Sequence, residues 1–315
     1  MPIFDTNWSG TASFTRGKLA NRLGNPGTIE QAVTDGDTIR VSLPGGQGLR
    51  MLGCDTPEKQ IEFRKSGFVK LNDKRWAQYF GSLWDDKKWG PFKPPLSAAL
   101  KTHLKKRIKS DVAANQWAHA SAATQSLAGL IADDRKALKL SDDKLRIFAA
   151  FAHEILDRYA RPLVFVNADV KDKASRPDLY NVRMIGNGRA SPLFMWPNIE
   201  PFRKLKVTEA AMPPKQLRKA VGSASKLQAA RKLAARARKK GIGIYDAANA
   251  LQLAAFELRY LARRAAPDRW VIDIGEKAMG NQLIEPGRYF EIANAEDRLF
   301  IPAEYVPLFR AAGWK

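Results

Sequence analysis

The chain has 315 residues, and its 53 lysines and arginines against 32 aspartates and glutamates give a formal net charge of +21. Such an excess favours a polyanionic partner over the alternative of a basic protein without one. The single cysteine, Cys54, excludes an intramolecular disulfide framework and a cysteine-rich zinc site. No apolar run approaches the ~18 residues needed to span a bilayer, so we expect DNA or RNA rather than a membrane as the partner.

The first predicted elements lead to an Asp-Gly turn. Residues 1–27 are rich in small polar residues without periodicity, which predicts an N-terminal extension that packs on the surface or is partly mobile. They lack the basic and apolar regions of a signal peptide, so we expect an intracellular location unless a leader has been removed. Residues 28–34 are predicted to form a strand that leads into the turn at Asp35 and Gly36.

A hairpin follows this turn. Residues 38–43 alternate apolar and polar side chains as a half-buried strand does, residues 44–48 turn the chain back, and residues 49–54 form a return strand of similar length. Because the two strands run in opposite directions over similar lengths, the end of the second returns to the start of the first. Asp55 is therefore predicted to lie near Asp37. Glu58 lies just beyond the end of the return strand, and Arg50 lies on it.

The charged residues at this end of the hairpin indicate a phosphate chemistry. Carboxylates that cannot relieve their repulsion through lysines usually share a cation, and the oxygen ligands of Asp37, Asp55 and Glu58 suit Ca²⁺ or Mg²⁺. A planar guanidinium beside such a cation, here that of Arg50, can hold a phosphate with two parallel hydrogen bonds. Taken one at a time, the aspartates could be turn formers and the arginine an ion-pair partner.

A long segment separates the hairpin from the next apolar strand. Within it, residues 96–130 and 144–156 are predicted to be helical and residues 136–140 to form a strand. Aromatic residues alternate with lysines and arginines between positions 74 and 93. They could stack on the bases of a single strand or anchor this segment to the rest of the protein, and we favour the second interpretation.

The second half of the chain contains several further predicted elements. Residues 161–166 form an apolar run that predicts a strand. Residues 223–240 predict a strongly basic helix. Beyond it we expect an amphipathic helix at residues 247–265, strands at 269–274 and 298–302, and a helical turn at 306–314.

Two separated motifs resemble those of the staphylococcal nuclease (thermonuclease) family. The first is D-G-D-T-I followed by R-M-L-G-C-D-T-P-E, and the second is D-R-Y-A-R at residues 157–161. The resemblance covers roughly residues 28–58 and 130–246, and it implies that residues 178–186 form a helix that ends near Gly188. It implies an α+β protein with a five-stranded OB-type β-barrel flanked by helices at residues 28–246, with a largely helical insertion at about 59–130. Residues 247–315 would form a small α/β C-terminal appendage.

The resemblance also implies an activity, which is Ca²⁺-dependent hydrolysis of phosphodiester bonds in DNA and RNA to give 3′-phosphate products. Asp37 and Asp55 would bind one Ca²⁺ through their carboxylates, and Thr56 would bind it through its backbone carbonyl. Other divalent metals are also compatible with these ligands. Glu58 would be the general base that activates water. Arg50 and Arg161 would hold the phosphate and neutralise the charge of the transition state.

Further residues are predicted to bind the substrate. The resemblance implies that Asp35 acts through water, that Tyr159 supports the 5′-phosphate side, and that Phe194 and Trp196 lie beside a base. The charge of the basic helix predicts that Arg238, Lys239 and Lys240 contact the phosphate backbone of the nucleic acid. Two alternatives accompany this prediction: a catalytically inactive nucleic-acid-binding or scaffold protein, and a protein partner bound through the insertion or residues 247–315.

Overall fold

The computed structural model describes residues 14–21, 25–41, 47–157, 159–170, 172, 175–275 and 280–315. Most of the predicted N-terminal extension, most of the predicted hairpin turn and Arg158 of the second motif lie outside these residues. The described part is an α+β protein, as predicted.

The described residues contain twelve strands and eleven α-helices, with short 3₁₀ helices between them. The strands are β1 Phe14–Lys18, β2 Val33–Asp35, β3 Thr38–Val41, β4 Gln47–Met51, β5 Gly53–Asp55, β6 Gln60–Glu62, β7 Phe68–Lys70, β8 Arg146–Leu156, β9 Pro162–Ala168, β10 Ser191–Met195, β11 Trp270–Asp273 and β12 Arg298–Ile301. The α-helices are α1 Ile29–Ala32, α2 Lys74–Gly81, α3 Asp86–Trp89, α4 Ala98–Arg107, α5 Val112–Ala137, α6 Tyr180–Gly186, α7 Val207–Ala210, α8 Pro214–Ser223, α9 Ser225–Lys239, α10 Ala255–Ala262 and α11 Val306–Ala311. The 3₁₀ helices are Arg64–Ser66, Gly243–Tyr245, Pro286–Glu291, Ala295–Asp297 and Ala303–Tyr305.

Two sheets organise the molecule. The larger sheet has the strand order β1-β8-β9-β4-β3-β2, and the smaller one has the order β11-β12-β10-β5. Strands β6 and β7 form a separate hairpin. In the larger sheet β4 is parallel to β9, with Arg50 opposite Leu163, and antiparallel to β3, with Arg50 opposite Thr38. The chain after β1 returns to β3 through an isolated bridge between Leu19 and Val41.

The predicted return strand is divided between the two sheets. Residues up to Met51 belong to β4 in the larger sheet, whereas β5 pairs with β10 in the smaller one. Gly53, with a φ of +73°, provides the bend between them. Asp55 therefore belongs to the smaller sheet, whereas Arg50 belongs to the larger one.

Helices α5 and α6 cover the larger sheet. Ala123, Leu127 and Ile131 of α5 are buried in the same hydrophobic core as Val164 and Val166 of β9. The side of α5 that carries Ala123 also packs on the Asp-Gly turn, because a Cβ at Gly36 would lie 2.6 Å from the Cβ of Ala123. Helix α5 therefore fixes the turn that carries the predicted site.

The insertion and the C-terminal segment share a second hydrophobic core. Trp76 and Phe80 of α2 and Leu100 of α4 are buried there together with Phe256 and Leu258 of α10. The predicted insertion and appendage are thus packed as one unit in this structure. The burial of Trp76 and Phe80 supports the interpretation that the aromatic residues anchor the insertion.

Two predictions near the hairpin start differ from the structure. Residues 28–34 form helix α1 and the short strand β2 rather than one strand. The cause is local, since the Gln31 side chain accepts a hydrogen bond of 3.1 Å from the backbone N–H of Thr28 and so stabilises the helix start. In the predicted extension, residues 14–18 form β1, which pairs with β8 in the larger sheet.

The largest error concerns residues 144–156, which were expected to be helical and form strand β8 instead. Ile147, Ala149 and Phe151 are buried, so the apolar pattern also fits a strand with a period of two. Pairing with β1 and β9 on both sides decides in favour of the strand. Residues 136–140, expected as a strand, instead contain the end of α5 and the turn after it.

Several other predictions are confirmed. Strand β9, helix α6 followed by Gly188, helix α9, strands β11 and β12, and helix α11 lie where the sequence predicted them. The predicted helical stretch at residues 96–130 is divided into α4 and α5, and the predicted helix at 247–265 is reduced to α10. Among the helices that the structure describes, none combines the length and apolar character that crossing a membrane requires.

Candidate active site

The hairpin brings Asp37 and Asp55 together through Arg50, as its geometry predicted. Arg50 Nη1 donates to Asp37 Oδ1 over 3.1 Å, and Arg50 Nη2 donates to Asp55 Oδ1 over 3.0 Å. Both aspartate side chains are buried, and that of Arg50 is 14% exposed. One planar guanidinium thus bridges carboxylates from the two ends of the hairpin.

Glu58 and Thr56 lie beside this bridge. The backbone N–H of Glu58 donates to the side-chain oxygen of Gln116 on α5 over 3.3 Å, which fixes the segment after β5 against that helix. Thr56 is buried, and its hydroxyl oxygen has no hydrogen-bond partner among the described residues. Asp35 holds the turn, because its Oδ1 accepts the N–H of Gly36 over 2.8 Å.

A residue that the sequence reasoning missed completes the cluster. Arg259 of α10 donates from Nη1 to Glu58 Oε1 over 2.5 Å, and its Nη2 lies 2.9 Å from Asp55 Oδ1 and 3.0 Å from Asp55 Oδ2. The only sequence signal was an arginine among the apolar residues Leu258, Tyr260 and Leu261. These neighbours are buried in the structure, and an arginine in such surroundings usually has a charged partner. We call the group formed by Asp35, Asp37, Asp55, Glu58, Arg50 and Arg259 the acidic cluster.

The acidic cluster contains more carboxylates than guanidiniums. Burial raises the pKa of Asp35 well above its ordinary value, and the charges of Asp37 and Glu58 raise it further. Burial also raises the pKa of Glu58, against the opposing influence of Arg259 and Arg50. Burial alone would lower the pKa of Arg50, but the neighbouring carboxylates raise it above its ordinary value. The raised pKa values of Asp35 and Glu58 favour the protonated forms of these two carboxyl groups beside the ion pairs of Arg50 and Arg259.

In this arrangement the residues do not fit the predicted Ca²⁺. Both Asp55 oxygens are bound by N–H donors, because Oδ2 also accepts the backbone N–H of Phe256 over 3.0 Å. Asp37 Oδ2 lies 3.0 Å from Arg50 Nη1 yet accepts no hydrogen bond from the described residues. No group of three or more His, Cys, Asp or Glu residues in the described part of the chain is arranged to hold a metal ion.

Arg161 of the second motif lies near the acidic cluster in the sheet, but its guanidinium does not pair with a residue of the cluster. Arg50 pairs with Leu163 across the parallel strands β4 and β9, and Arg161 precedes Leu163 by two residues. The Arg161 guanidinium forms an ion pair of 2.7 Å with Asp157 and lies over the ring of Tyr159, which is exposed. In the described residues no hydrogen bond or ion pair joins Arg161 to the acidic cluster.

No protein-family model matches the chain, and the comparison with curated proteins also finds no match. The likeness to the staphylococcal nuclease family therefore stays a prediction from the two sequence motifs.

The two predicted base-stacking residues are core side chains. Phe194 is 3% exposed and Trp196 is 0% exposed. The indole N–H of Trp196 donates to the carbonyl of Ala210 over 3.0 Å, and its ring packs against Phe309. Neither ring offers an exposed face to a nucleotide base. The pairing of β10 with β12, which the sequence did not predict, accounts for this burial.

The predicted cations of α9 have different surroundings. Arg238 is paired with the buried Glu296 at 2.6 Å, so its charge is compensated within the protein. Lys240 instead lines an open groove of about 730 Å³ between α5 and the ends of α6 and α9, and Lys239 beside it is exposed. We call this feature the basic groove; its lining residues are Ala122, Gln125, Ser126, Gly186, Asn187, Arg189, Arg236, Lys240 and Ile242.

The basic groove presents positive charge to solvent. Arg189, Arg236 and Lys240 form no ion pair with any residue in the described part of the chain. Helix α5 forms one wall of the groove with Ala122 and Ser126, while Ala123 of the same helix packs on the Asp-Gly turn of the cluster. The acidic cluster and the basic groove thus lie on different sides of one helix.

Proposed function

We propose that this protein is a phosphodiesterase that hydrolyses DNA or RNA at the acidic cluster. The observation that carries the proposal is the meeting of Asp37, Asp55 and Glu58 around the Arg50 guanidinium at one end of the hairpin. Burying several carboxylates around two arginines requires a large desolvation free energy. Apolar residues of similar volume would often stabilise a fold as well or better. A functional site is the better explanation for such a cluster in a strongly basic protein.

The proposed roles follow the resemblance. Glu58 is the general base that takes a proton from the attacking water. Arg50 and Arg161 donate hydrogen bonds to the non-bridging phosphoryl oxygens and stabilise the charge of the transition state. The pairing of Arg50 with Leu163 supports the role of Arg161, because neighbouring strands lie only about 4.8 Å apart. Arg161 must exchange Asp157 for the phosphate in this role.

The proposal also includes the OB-type barrel. Five strands follow one another in the order β1-β8-β9-β4-β3, and the Leu19–Val41 bridge connects the chain after β1 to β3. A ring of five strands with this connection would have the architecture expected for the family. The hairpin end that carries Asp37 and Arg50 would then lie at the mouth of the barrel.

The basic groove supports a polyanionic substrate. Three cations without ion-pair partners in the described residues line a groove that is open to solvent. Lysine and arginine side chains of this kind bind phosphates without regard to base sequence, which suits an enzyme that acts on the backbone. We therefore propose that Arg189, Arg236 and Lys240, rather than Arg238, contact the nucleic acid. Tyr159 and Lys239 are exposed and stay proposed substrate contacts.

A catalytically inactive nucleic-acid-binding protein is the second candidate. The ion pair between Arg259 and Glu58 favours it, because the guanidinium occupies Glu58 Oε1 and makes the carboxylate less available to an attacking water. The misfit between the present side-chain arrangement and Ca²⁺ points the same way. The two candidates differ in whether any metal-dependent cleavage occurs.

The deciding experiment compares cleavage of single- and double-stranded DNA and RNA in CaCl₂ and in EDTA. We expect cleavage with Ca²⁺ only and products that carry a 3′-phosphate. Glu58→Gln should lower the turnover number by about 10²- to 10⁴-fold, the usual contribution of a general base. Glu62→Gln, at an exposed position on β6, is the matched control and should leave turnover unchanged.

Two outcomes would contradict this proposal, one in the role of Glu58 and one in the activity itself. Equal cleavage by the wild type and Glu58→Gln would reject the role of Glu58. Binding of nucleic acid without cleavage under any of these conditions would favour the inactive candidate.

A further inference from the structure

Two aromatic side chains meet at the surface beside the second motif. Phe68 is 56% exposed and Tyr159 is 44% exposed. Their ring centroids lie 5.9 Å apart, with an angle of 60° between the ring planes. A single exposed apolar residue is ordinary in a folded protein, but two rings from distant parts of the chain that meet in solvent call for an explanation. We call this pair the aromatic platform.

The hairpin of β6 and β7 places Phe68 at the surface by strand alternation. Ile61 and Val69 are buried in the core that the insertion shares with the C-terminal segment, so Phe68, the neighbour of Val69 on β7, points outward. The hairpin is anchored to this core, because the indole N–H of Trp76 donates to the carbonyl of Val69 over 3.1 Å. The Phe68 ring therefore stands in solvent on a firmly held support.

The loop after β8 holds Tyr159 in a similar way. Asp157 Oδ1 accepts the backbone N–H groups of Tyr159 and Arg161, each over 2.9 Å. These bonds involve the backbone, so they can persist when the Arg161 guanidinium leaves Asp157 for a phosphate. Because both supports are ordered before a ligand arrives, binding at the platform costs little conformational entropy.

A positive charge lies against the aromatic platform. The guanidinium carbon of Arg161 lies 5.5 Å from the centroid of the Tyr159 ring, and the Arg161 side chain is 30% exposed. Proteins bind single-stranded nucleic acids with this combination, in which aromatic rings stack on bases and cations bind the phosphates of the same strand. In a duplex the faces of the bases are covered by the neighbouring base pairs. The platform thus suits an unpaired base.

We propose that the aromatic platform stacks on an unpaired base of a single-stranded nucleic acid, next to the phosphate that Arg161 holds. This proposal rests on the proposed function, since that function puts a phosphate at Arg161, and it assigns single strands as the preferred substrate class. Phe68 belongs to the insertion. The insertion therefore determines the strand preference, while the acidic cluster carries the chemistry.

The test measures binding of labelled oligonucleotides to the full chain by fluorescence anisotropy, in EDTA so that no cleavage interferes. The three probes are a single DNA strand, the same sequence as a duplex, and a single strand of abasic sites, which keeps the phosphates but lacks the bases. The wild type should bind the first probe more tightly than the other two. Phe68→Ala should weaken binding of the first probe by about five- to thirtyfold, because one stacking ring is lost. It should bind the duplex and the abasic strand within about twofold of the wild type.

Further variants identify the ring as the cause. Phe68→Leu keeps an apolar side chain without a ring, so it should weaken binding as Phe68→Ala does. Phe68→Trp keeps a ring and should bind the single strand at least as tightly as the wild type. Leu156→Ala is the matched control, since Leu156 is 54% exposed but not aromatic, and it should bind every probe as the wild type does. Thermal unfolding of each variant shows whether it is folded.

The outcomes separate this proposal from the proposed function. An unchanged affinity of Phe68→Ala for the single strand, or an equal loss for all three probes, overturns the platform. Cleavage in CaCl₂ together with that result rejects the platform and leaves the nuclease standing. A loss confined to the base-carrying single strand, with no cleavage by any form of the protein, supports the platform and rejects the nuclease.

Discussion

The acidic cluster and the basic groove are two charged regions in the described part of this molecule, and they differ in how their charge is compensated. In the cluster, every carboxylate that touches Arg50 or Arg259 lies within about 3 Å of a guanidinium nitrogen and is largely buried. In the groove, Arg189, Arg236 and Lys240 have no ion-pair partner among the described residues and face an open space. Helix α5 lies between the two regions.

This difference has energetic consequences. Buried ion pairs couple strongly to folding, since removing one partner leaves an uncompensated charge in a poorly hydrated place. Exposed cations contribute little to folding, but they attract phosphates at a distance. The cluster should therefore respond to substitution through stability and chemistry, and the groove through binding. The first two predictions below test this contrast and the third concerns His119 on the helix between the two regions; they run from the largest expected effect to the smallest.

Replacing Arg50 should give the largest effect on stability. Arg50→Ala leaves the buried carboxylates of Asp37 and Asp55 without their shared partner. We expect the free energy of unfolding to fall by about 3 to 5 kcal/mol, measured by urea denaturation. Arg135→Ala, which breaks the more exposed Arg135–Asp142 pair, is the control and should cost no more than about 1 kcal/mol. Equal losses in the two variants would contradict the contrast between buried and exposed pairs.

Neutralising the groove should change binding and leave folding almost unaffected. We expect the Arg189→Gln, Arg236→Gln and Lys240→Gln triple variant to lower the slope of log K against log salt by about 2 to 3 units, roughly one for each phosphate that the protein no longer neutralises. Binding is measured by fluorescence anisotropy with a labelled DNA oligonucleotide in EDTA, so that no cleavage interferes.

A triple variant with the same change in net charge provides the control. Lys65→Gln, Lys70→Gln and Lys74→Gln alter exposed positions in the insertion. They should leave the salt slope close to that of the wild type. If both triple variants lower the slope equally, net charge rather than the groove attracts the nucleic acid.

His119 on α5 should give the smallest effect, and it depends on pH. Burial lowers the pKa of His119, the carbonyl of Asn249 opposes that effect, and Arg189 of the groove contributes to the lowering. The unfolded chain therefore takes up a proton near the ordinary value of 6.5 while the folded protein does not. The free energy of unfolding should fall as the pH falls below 6.5, by at most about 1.4 kcal/mol per pH unit.

The comparison variant for this prediction is His119→Gln, in which that part of the pH dependence should disappear. Stability is measured by urea denaturation between pH 5 and 8. His153→Gln, at an exposed position of β8, should keep the wild-type slope. A wild-type slope in His119→Gln would show that His119 titrates alike in the folded and unfolded states.

Local patterns in the sequence were sufficient for the hairpin and for the residues of the site that the hairpin carries. Asp37, Arg50 and Asp55 are close along the chain, so strand length and turn position alone predict that they meet. Strand β9 was likewise predicted from its apolar run, whereas helix α6 was predicted from the family resemblance. Strand β8 was missed because its apolar residues fit both a helix and a strand, and only its pairing with β1 and β9 decides between them.

The sequence by itself determined the charge of the protein and the short-range geometry of its carboxylates. Only the tertiary structure decided that Arg259 binds Asp55 and Glu58, and that Phe194 and Trp196 are buried. The physical reason is the distance along the chain. Contacts between residues separated by more than a hundred positions depend on how whole helices and sheets pack, and no local pattern of residues specifies that packing.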